Sequence, residues 1–312
     1  MSKQAKTIIL PLIAALIWGG AFLAQGSVTD RLGPFTMNAL RSFIAFVCLF
    51  FVSFISDERK IKKSVEMHRP DMKLFVIGSV VCGIMLFLGS NLQQFALAGN
   101  LDGSITEGEV AFITAFYMIL VPVFGIFFKR KTGVNVWIAV VIALVGLYLI
   151  CVNGKGFSIN KYVIFAISNA VAYTFHILAI DHYASEINPI KLSCGQFFVN
   201  FFLSSIFALL FENISLAAIA DCALPLFYIG IFSSTIAFTL QIVAQQEGNP
   251  TVVSILMCTE SGFALLLQTI IGIINPEKAA FLSVRQYIGC AVMFIAVVVA
   301  QINFNIKIRK AH

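Results

Sequence analysis

Apolar residues run in long blocks along this chain, and the polar residues between blocks are few and clustered. Blocks long enough to cross a bilayer fall at about 7–26, 34–55, 74–97, 105–128 and 134–152. Five more fall at about 161–180, 189–211, 224–245, 250–274 and 284–304. A hydrocarbon layer about 30 Å thick needs ~20 apolar residues per helix at about 1.5 Å rise. The pattern predicts an all-α integral membrane protein with ten transmembrane helices. Short connections predict sequential helices that are antiparallel and adjacent, and an even count puts both termini on one side. The first block follows Lys3 and Lys6 as a signal peptide would. It is long enough to span and others follow it, so it reads as a retained first helix.

Composition sharpens this picture. Of 312 residues, 59% are hydrophobic and only 12% charged, with mean hydropathy +0.94 and 31 Phe. A soluble domain, which must clothe its core in polar surface, is nearer a quarter charged. The net charge of +6 is therefore no sign of a nucleic-acid partner, and its placement says more than its sum. With the N-terminus inside, 15 of the 21 Lys and Arg fall on inner segments, chiefly "DERKIKKSVEMHRPDMK" (57–73), "KRK" (129–131) and the C-terminal tail. Five fall outside (Arg31, Lys155, Lys161, Lys278 and Arg285), and Arg41 lies within a span. The positive-inside rule then puts both termini in the cytoplasm of a multi-pass protein of the plasma (inner) membrane. The seven cysteines are scattered, without CxxC or zinc-ligand spacing, and read as packing residues. No metal or cofactor is expected.

The two halves echo each other. "PFTMNALRSF" from Pro34 carries Arg41 seven residues on, and "PIKLSCGQFF" from Pro189 carries Gln196 at the same offset. "NLQQFALA" and "TLQIVAQQ" share L-Q-x-x-A, aligning Gln93 with Gln241 and Ala96 with Ala244. Ala139 and Gly146 in the fifth block match Gly289 and Ala296 in the tenth. Five spans per repeat is odd, so the second repeat enters from the opposite side, the architecture of transporters that alternate access around a midplane site. The division is 1–152, a polar linker 153–160, and 161–312.

Several pieces resemble the drug/metabolite transporter superfamily, specifically proteins with two EamA-type domains. They are "LIWGGAF" (16–22), "LRSF" with its preceding proline, and "AFITAFYMILVPVFGIFF" (111–128) in the first half. In the second half they are "AFTLQIVAQQ" (237–246) and "NPTVVSILMCTESGFALL" (249–266). The resemblance implies a cavity between two five-helix halves, rocking-type alternating access, and transport of small organic solutes, often outward. The chain departs from the family pattern at Glu107 and Glu109, where neutral or basic residues are usual, and at Ser261, where proline is usual.

Charges inside spans are costly and mark solute or ion paths when they face a cavity. Arg41 lies about 10 Å along its helix; it lines the outward part of a cavity, snorkels to headgroups, or pairs with an acid such as Glu109. Glu260, amid "MCTESGFALL", lies about 15 Å from the start of its span and has no basic residue in its own helix. It fits a ligand for an amine, a proton-coupling carboxylate, or an interhelical hydrogen bond. Trp18 beside two glycines and Tyr117 are candidate cavity walls, or in Trp18's case a close-packing site. Gln93, Gln241 and Gln196 either orient substrate or hold helices together. His176 and Glu109 join Glu260 as proton-relay candidates.

The expected function is secondary active transport of small organic metabolites or drugs, outward and proton-coupled. A small-metabolite importer of the same fold and a non-transporting scaffold are the alternatives. No nucleotide-binding loop, HExxH or GxSxG is present, so neither ATP-driven transport by this chain nor an enzyme is expected. The partners are a small-molecule substrate and the lipid bilayer; a homodimer stays open.

Overall fold

In lipid every backbone N–H and C=O must find a partner inside the chain, which helices provide without a second strand. The computed structural model describes residues 3–62, 71–105, 107–127, 132–151, 159–274 and 283–301, and every regular element among them is helical. Eight stretches are long and apolar enough to cross a membrane: Lys6–Gly26, Pro34–Ile55, Met72–Asn100, Glu109–Phe127, Lys161–Tyr183, Pro189–Phe211, Ala223–Glu247 and Pro250–Ile274. Val134–Ile150 and Val284–Ala300 are shorter apolar helices. The basic segments at 63–70 and 129–131, most of the linker, Lys278, and the tail with His312 lie outside the described residues.

The helices are α1 (Lys3–Gly26), α2 (Pro34–Lys62), α3 (Met72–Leu97), α4 (Glu107–Thr114), α5 (Tyr117–Phe127), α6 (Val134–Cys151) and α7 (Lys161–Tyr183). They continue as α8 (Pro189–Phe211), α9 (Leu216–Asp221), α10 (Ala223–Tyr228), α11 (Phe238–Glu247), α12 (Pro250–Met257), α13 (Glu260–Ile274) and α14 (Val284–Gln301). Proline opens α8 and α12 at the first turn, where its missing N–H costs nothing, and Asn188 and Asn249 cap those two helices.

Three spans expected as continuous helices are interrupted. Between α4 and α5 the backbone tightens at Ala115–Phe116, with Phe116 N–H donating to Ile113 O and Met118 N–H to Ala115 O. Between α12 and α13 it tightens at Cys258–Thr259, where Thr259 N–H donates to Leu256 O and the Thr259 hydroxyl caps the same carbonyl at 2.7 Å. Such back-bonding competes with the helical ladder and bends it. Between α10 and α11 the segment Ile229–Ala237 winds as a π-helix, a form concentrated at functional sites.

Sequential helices are not the main neighbours, contrary to the expectation from short loops. The most extensive contacts pair α6 with α14, α2 with α8, and α3 with α7 and α8. Helix α1 packs on α11, α12, α13 and the π segment, which also lies on α2; α4 and α5 pack on α7. Glycines set these approaches. A Cβ on Gly146 would lie 2.9 Å from Met293 N and 3.0 Å from Gly289 O, and one on Gly289 would lie 2.9 Å from Gly146 O. The small residues shared by the fifth and tenth blocks are thus the α6–α14 crossing itself. Likewise a Cβ on Gly19 would lie 2.7 Å from Ala264 N, so the "WGG" stretch seats α1 against α13.

A buried polar network ties α2, α3 and α8. Asn38 Nδ2 donates to Asn91 Oδ1 (3.2 Å), Asn91 Nδ2 to Ser204 Oγ (3.3 Å), Ser204 Oγ to Asn200 Oδ1 (3.1 Å), and Asn200 Nδ2 to Ser42 Oγ (2.9 Å). Beyond it Glu212, just past α8, accepts from Phe35 N, Thr36 N and Thr36 Oγ1 at 2.7–2.8 Å. It acts as a capping carboxylate supplied from another helix to the positive end of α2. At the opposite end of the bundle Lys6 Nζ meets Glu247 at 3.1 Å, joining the start of α1 to the end of α11.

Candidate functional site

The interrupted spans converge on one cavity. Cys258 Sγ, at the break in the ninth block, donates to Ala115 O at the break in the fourth at 3.7 Å. Beside this contact lies a cavity walled by Trp18, Phe22, Tyr117, Tyr173 and Phe238, with Met257 and Ile177. Its polar lining is Gln25, Arg41, Gln93, Thr114, Ser233, Gln241 and Glu260. It extends from the last turn of α1, at Gln25, to Gln241 in the middle of α11.

Arg41 is 4% exposed and fixed by two consecutive hydroxyls: Nε donates to Ser234 Oγ at 2.9 Å and Nη2 to Ser233 Oγ at 3.2 Å. Both serines belong to the π segment, which carries an i→i+5 bond from Phe238 N to Ser233 O. The smaller turn per residue of a π-helix brings neighbouring side chains toward one target. Gly230 permits the approach, since a Cβ there would lie 2.7 Å from Ile44 on α2. The expected pairing of Arg41 with Glu109 is not made. The guanidinium goes to Ser233 and Ser234, and among the described residues no acid forms an ion pair with it. Snorkelling is excluded by its burial.

Glu260 is 6% exposed. It is the first residue of α13 and not the middle of a continuous helix, so its carboxylate sits at a positive helix end within the bundle. It has no ion-pair partner among the described residues. Tyr173 lines the same cavity as Arg41 and Glu260. Four buried polar atoms on cavity residues lack partners among the described residues: Trp18 Nε1, Gln25 Oε1, Thr114 Oγ1 and Gln241 Oε1. Buried polar groups are normally satisfied, so each of these atoms is a point where water or a ligand can complete the bonding.

Of the residues singled out in the sequence, Trp18, Arg41, Tyr117, Glu260, Gln93 and Gln241 line this cavity. The Trp18 ring meets Phe238 edge to face at 5.0 Å. Gln93 Oε1 accepts from the Tyr173 hydroxyl at 3.5 Å, and Gln241 Nε2 donates to Gln245 Oε1 at 3.2 Å. Gln196, His176 and Glu109 do not line it. His176 Nε2 lies 3.0 Å from Gln196 Oε1, and the His176 ring sits behind Tyr173 and Phe238. Glu109 lies in the first turn of α4 beside Glu107. Sequence reasoning missed Gln25, Thr114, Tyr173, Ser233 and Phe238. The one local signal was the polar triplet Ser233–Ser234–Thr235 inside an apolar block.

Comparison with known proteins agrees with this architecture. The chain is 27% identical to an uncharacterized transporter of Archaeoglobus fulgidus over 93% of this chain and 84% of the relative. It is 24% identical to the uncharacterized inner membrane transporter YicL of Salmonella typhimurium over 88% of this chain and 90% of the relative. A solved crystal structure superposes with a TM-score of 0.74 at 18% identity, covering 95% of this chain and 96% of that one, and shares the fold. The sequence profile of the EamA-like transporter family matches twice, at residues 5–152 and 160–301. The chain therefore belongs to the EamA-like transporter family and is a multi-pass membrane protein.

Proposed function

We propose that the protein is a secondary active transporter that exports small organic solutes by alternating access, driven by a proton gradient. The observation that carries this reading is the cavity at the meeting point of two broken helices, with an unpaired cation and an unpaired acid in its wall. Charges of this kind inside a membrane protein mark solute and proton paths. Broken helices at matching places in two halves mark a transporter's binding site.

The same reading counts ten spans in two inverted five-helix repeats, 1–152 and 161–312. An 18-residue helix such as α6 or α14 rises about 27 Å, close to the bilayer core. Exchanging the halves also carries the helix contacts onto each other. The α3–α7 contact answers to that of the π segment and α11 with α1. The α4/α5–α7 contact answers to α12/α13–α1, and α3–α8 to π segment–α2. The α2–α8 and α6–α14 pairs map onto themselves. Both termini are assigned to the cytoplasm of the plasma membrane by the loop charges.

The test is to express the chain in cells, beside Glu260→Gln at equal membrane level, and profile small solutes inside and outside. Solutes that accumulate outside with the parent and not with the variant support export; accumulation inside would reverse the direction. Identical profiles would sink the transport reading. Loss of the difference on adding a protonophore supports proton coupling.

A further inference from the structure

The cavity is two-sided at its centre and one-sided at its rim. On the inverted-repeat reading Pro34 matches Pro189 and Arg41 matches Gln196, each pair 155 positions apart. Contacts follow the same step. A Cβ on Gly230 would meet Ile44 and one on Gly83 would meet Val199, and Ile44 and Val199 are again 155 apart. Carried into α1 and α7, the step pairs Trp18 with Tyr173 and Phe22 with Ile177. Aligning the two helix breaks pairs Thr114 with Met257 and Tyr117 with Glu260, and Gln93 already pairs with Gln241. All ten line the cavity. Gln25 and Arg41 line it as well, but their matches Ile180 and Gln196 do not. Both matches are fully buried, and both lie toward the opposite face, near the end of α7 and the start of α8.

The two ends differ in what closes them. Gln25 and Gln94 are joined through Thr29, whose hydroxyl donates to Gln25 O at 2.8 Å and accepts from Gln94 Nε2 at 2.9 Å. The side-chain oxygens of both glutamines lack partners among the described residues. Their matches, Ile180 and Ile242, pack in one buried apolar cluster with Cys82 and Leu192. Alongside, Gln245 Nε2 donates to Ile177 O at 3.0 Å and ties α11 to α7. Its match, Leu97, has no such donor. One end is polar; the other carries a dry seal.

Polar groups nevertheless lie at the sealed end. His176 Nε2 is 3.0 Å from Gln196 Oε1, while His176 Nδ1 and Gln196 Nε2, on wholly buried side chains, have no partner among the described residues. Leaving such atoms unmet is costly, and water or a solute would complete their bonds. We propose that Gln196 and His176 form a second binding station on the solute path, at the end opposite Arg41, and that Ile180, Ile242 and Gln245 seal it in this structure. Its ligands are water and the uncharged hydrogen-bonding groups of the solute, because it offers an amide and an imidazole where the other end offers a guanidinium. This rests on the alternating-access reading.

The first experiment needs no known solute. A membrane-impermeant maleimide is applied to one face at a time, in cells and in inverted vesicles, and labelled peptides are quantified by mass spectrometry. Gln25→Cys marks the open end. Native Cys82, Ile180→Cys and Gln196→Cys report the sealed end, and Cys82 does so without a substitution. All three should be labelled only from the face opposite to the one that labels Gln25→Cys. Ile242→Gln, which copies Gln94, should speed that labelling about tenfold by placing an amide in the dry seal. Gln245→Leu, which copies Leu97, should act in the same direction. Labelling of the sealed end from the Gln25 face, or from both faces, overturns the inference. So does silence at all three positions in the parent and in Ile242→Gln, or a Gln25→Cys that reacts from neither face. Gln196→Leu, with Cys82 still labelled at the parent rate, should lower export of the profiled solutes severalfold; unchanged export overturns the station. Export with the seal labelled from the wrong face would keep the transport reading and lose the station. Correct labelling without any exported solute would sink the transport reading and keep the second opening.

Discussion

Helix α2 carries two buried polar systems on neighbouring residues, and they are built on opposite terms. On one side Asn38 and Ser42 are the two ends of a chain through Asn91, Ser204 and Asn200, in which each link is a hydrogen bond of 2.9–3.3 Å. On the other, Arg41 faces a cavity where four polar atoms lack partners and an acid stands unpaired. The network spends its polarity on holding α2, α3 and α8 in register. The cavity leaves its polarity unspent. In a membrane, where charges are scarce, polar side chains bonded to one another across helices form a structural cluster, and two charges that form no ion pair beside a cavity mark a candidate binding site.

The contrast breaks most visibly at the charges. Arg41→Gln and Glu260→Gln should each lower transport roughly a hundredfold, the scale on which loss of one member of a buried charge contact acts. The same variants should melt at or above the parent temperature, because each removes an uncompensated buried charge. A variant that lost activity only in proportion to lost folded protein would place Arg41 or Glu260 among the structural groups.

Next come changes that leave polar chemistry alone. Gly146→Leu or Gly289→Leu forces side-chain atoms into facing backbone at the α6–α14 crossing. The overpacking should cost about 2 kcal/mol, read as lowered melting temperature and folded yield. Substrate preference of the protein that does fold should stay as in the parent, since neither glycine lines the cavity. A changed preference would mean that the crossing and the cavity are not separable.

The network should respond more gently. Asn200→Leu removes the donor to Ser42 and the acceptor for Ser204. Interhelical hydrogen bonds in membrane proteins are worth about 0.6 kcal/mol on average, so a loss of about 1 kcal/mol is expected. Activity per folded molecule should hold. Loss of activity at unchanged melting would overturn the division between the two sides of α2.

Much of this arrangement was legible in the sequence because lipid imposes a simple rule on length and polarity. The apolar blocks located the helices to within a few residues, and shared small residues located the α6–α14 crossing. Glu260 and Arg41 stood out because a charge in an apolar block has few reasons to be there. Three features were not legible. The breaks at Ala115–Phe116 and Cys258–Thr259 fall at no proline or glycine, and they consist of a few hydrogen bonds shortened from i+4 to i+3. The π segment looks, as sequence, like ordinary helix. The tie from Glu212 to α2 joins residues some 176 positions apart, and neither end has a distinctive neighbour. His176 and Gln196 drew notice as isolated polar residues, yet they lie close together across α7 and α8.

Between the two extremes stands Glu107, and it offers the finest test. It lies in the first turn of α4, half-buried, with a single long hydrogen bond from Asn100 Nδ2 at 3.4 Å. Burial raises its carboxyl above the ordinary value of 4.5. An acid raised in the folded state holds its proton where the unfolded chain has already released it. Folding is therefore favoured at low pH, and this contribution fades as pH rises from 4.5 through the raised value. Glu107→Gln fixes the group in its neutral form and should remove that slope, leaving the variant's melting temperature less pH-dependent than the parent's across that window. The effect should be the smallest of the four, because the group keeps some contact with solvent. An unchanged slope would show that Asn100 and the helix end compensate the charge fully, and would move Glu107 to the satisfied side of the comparison.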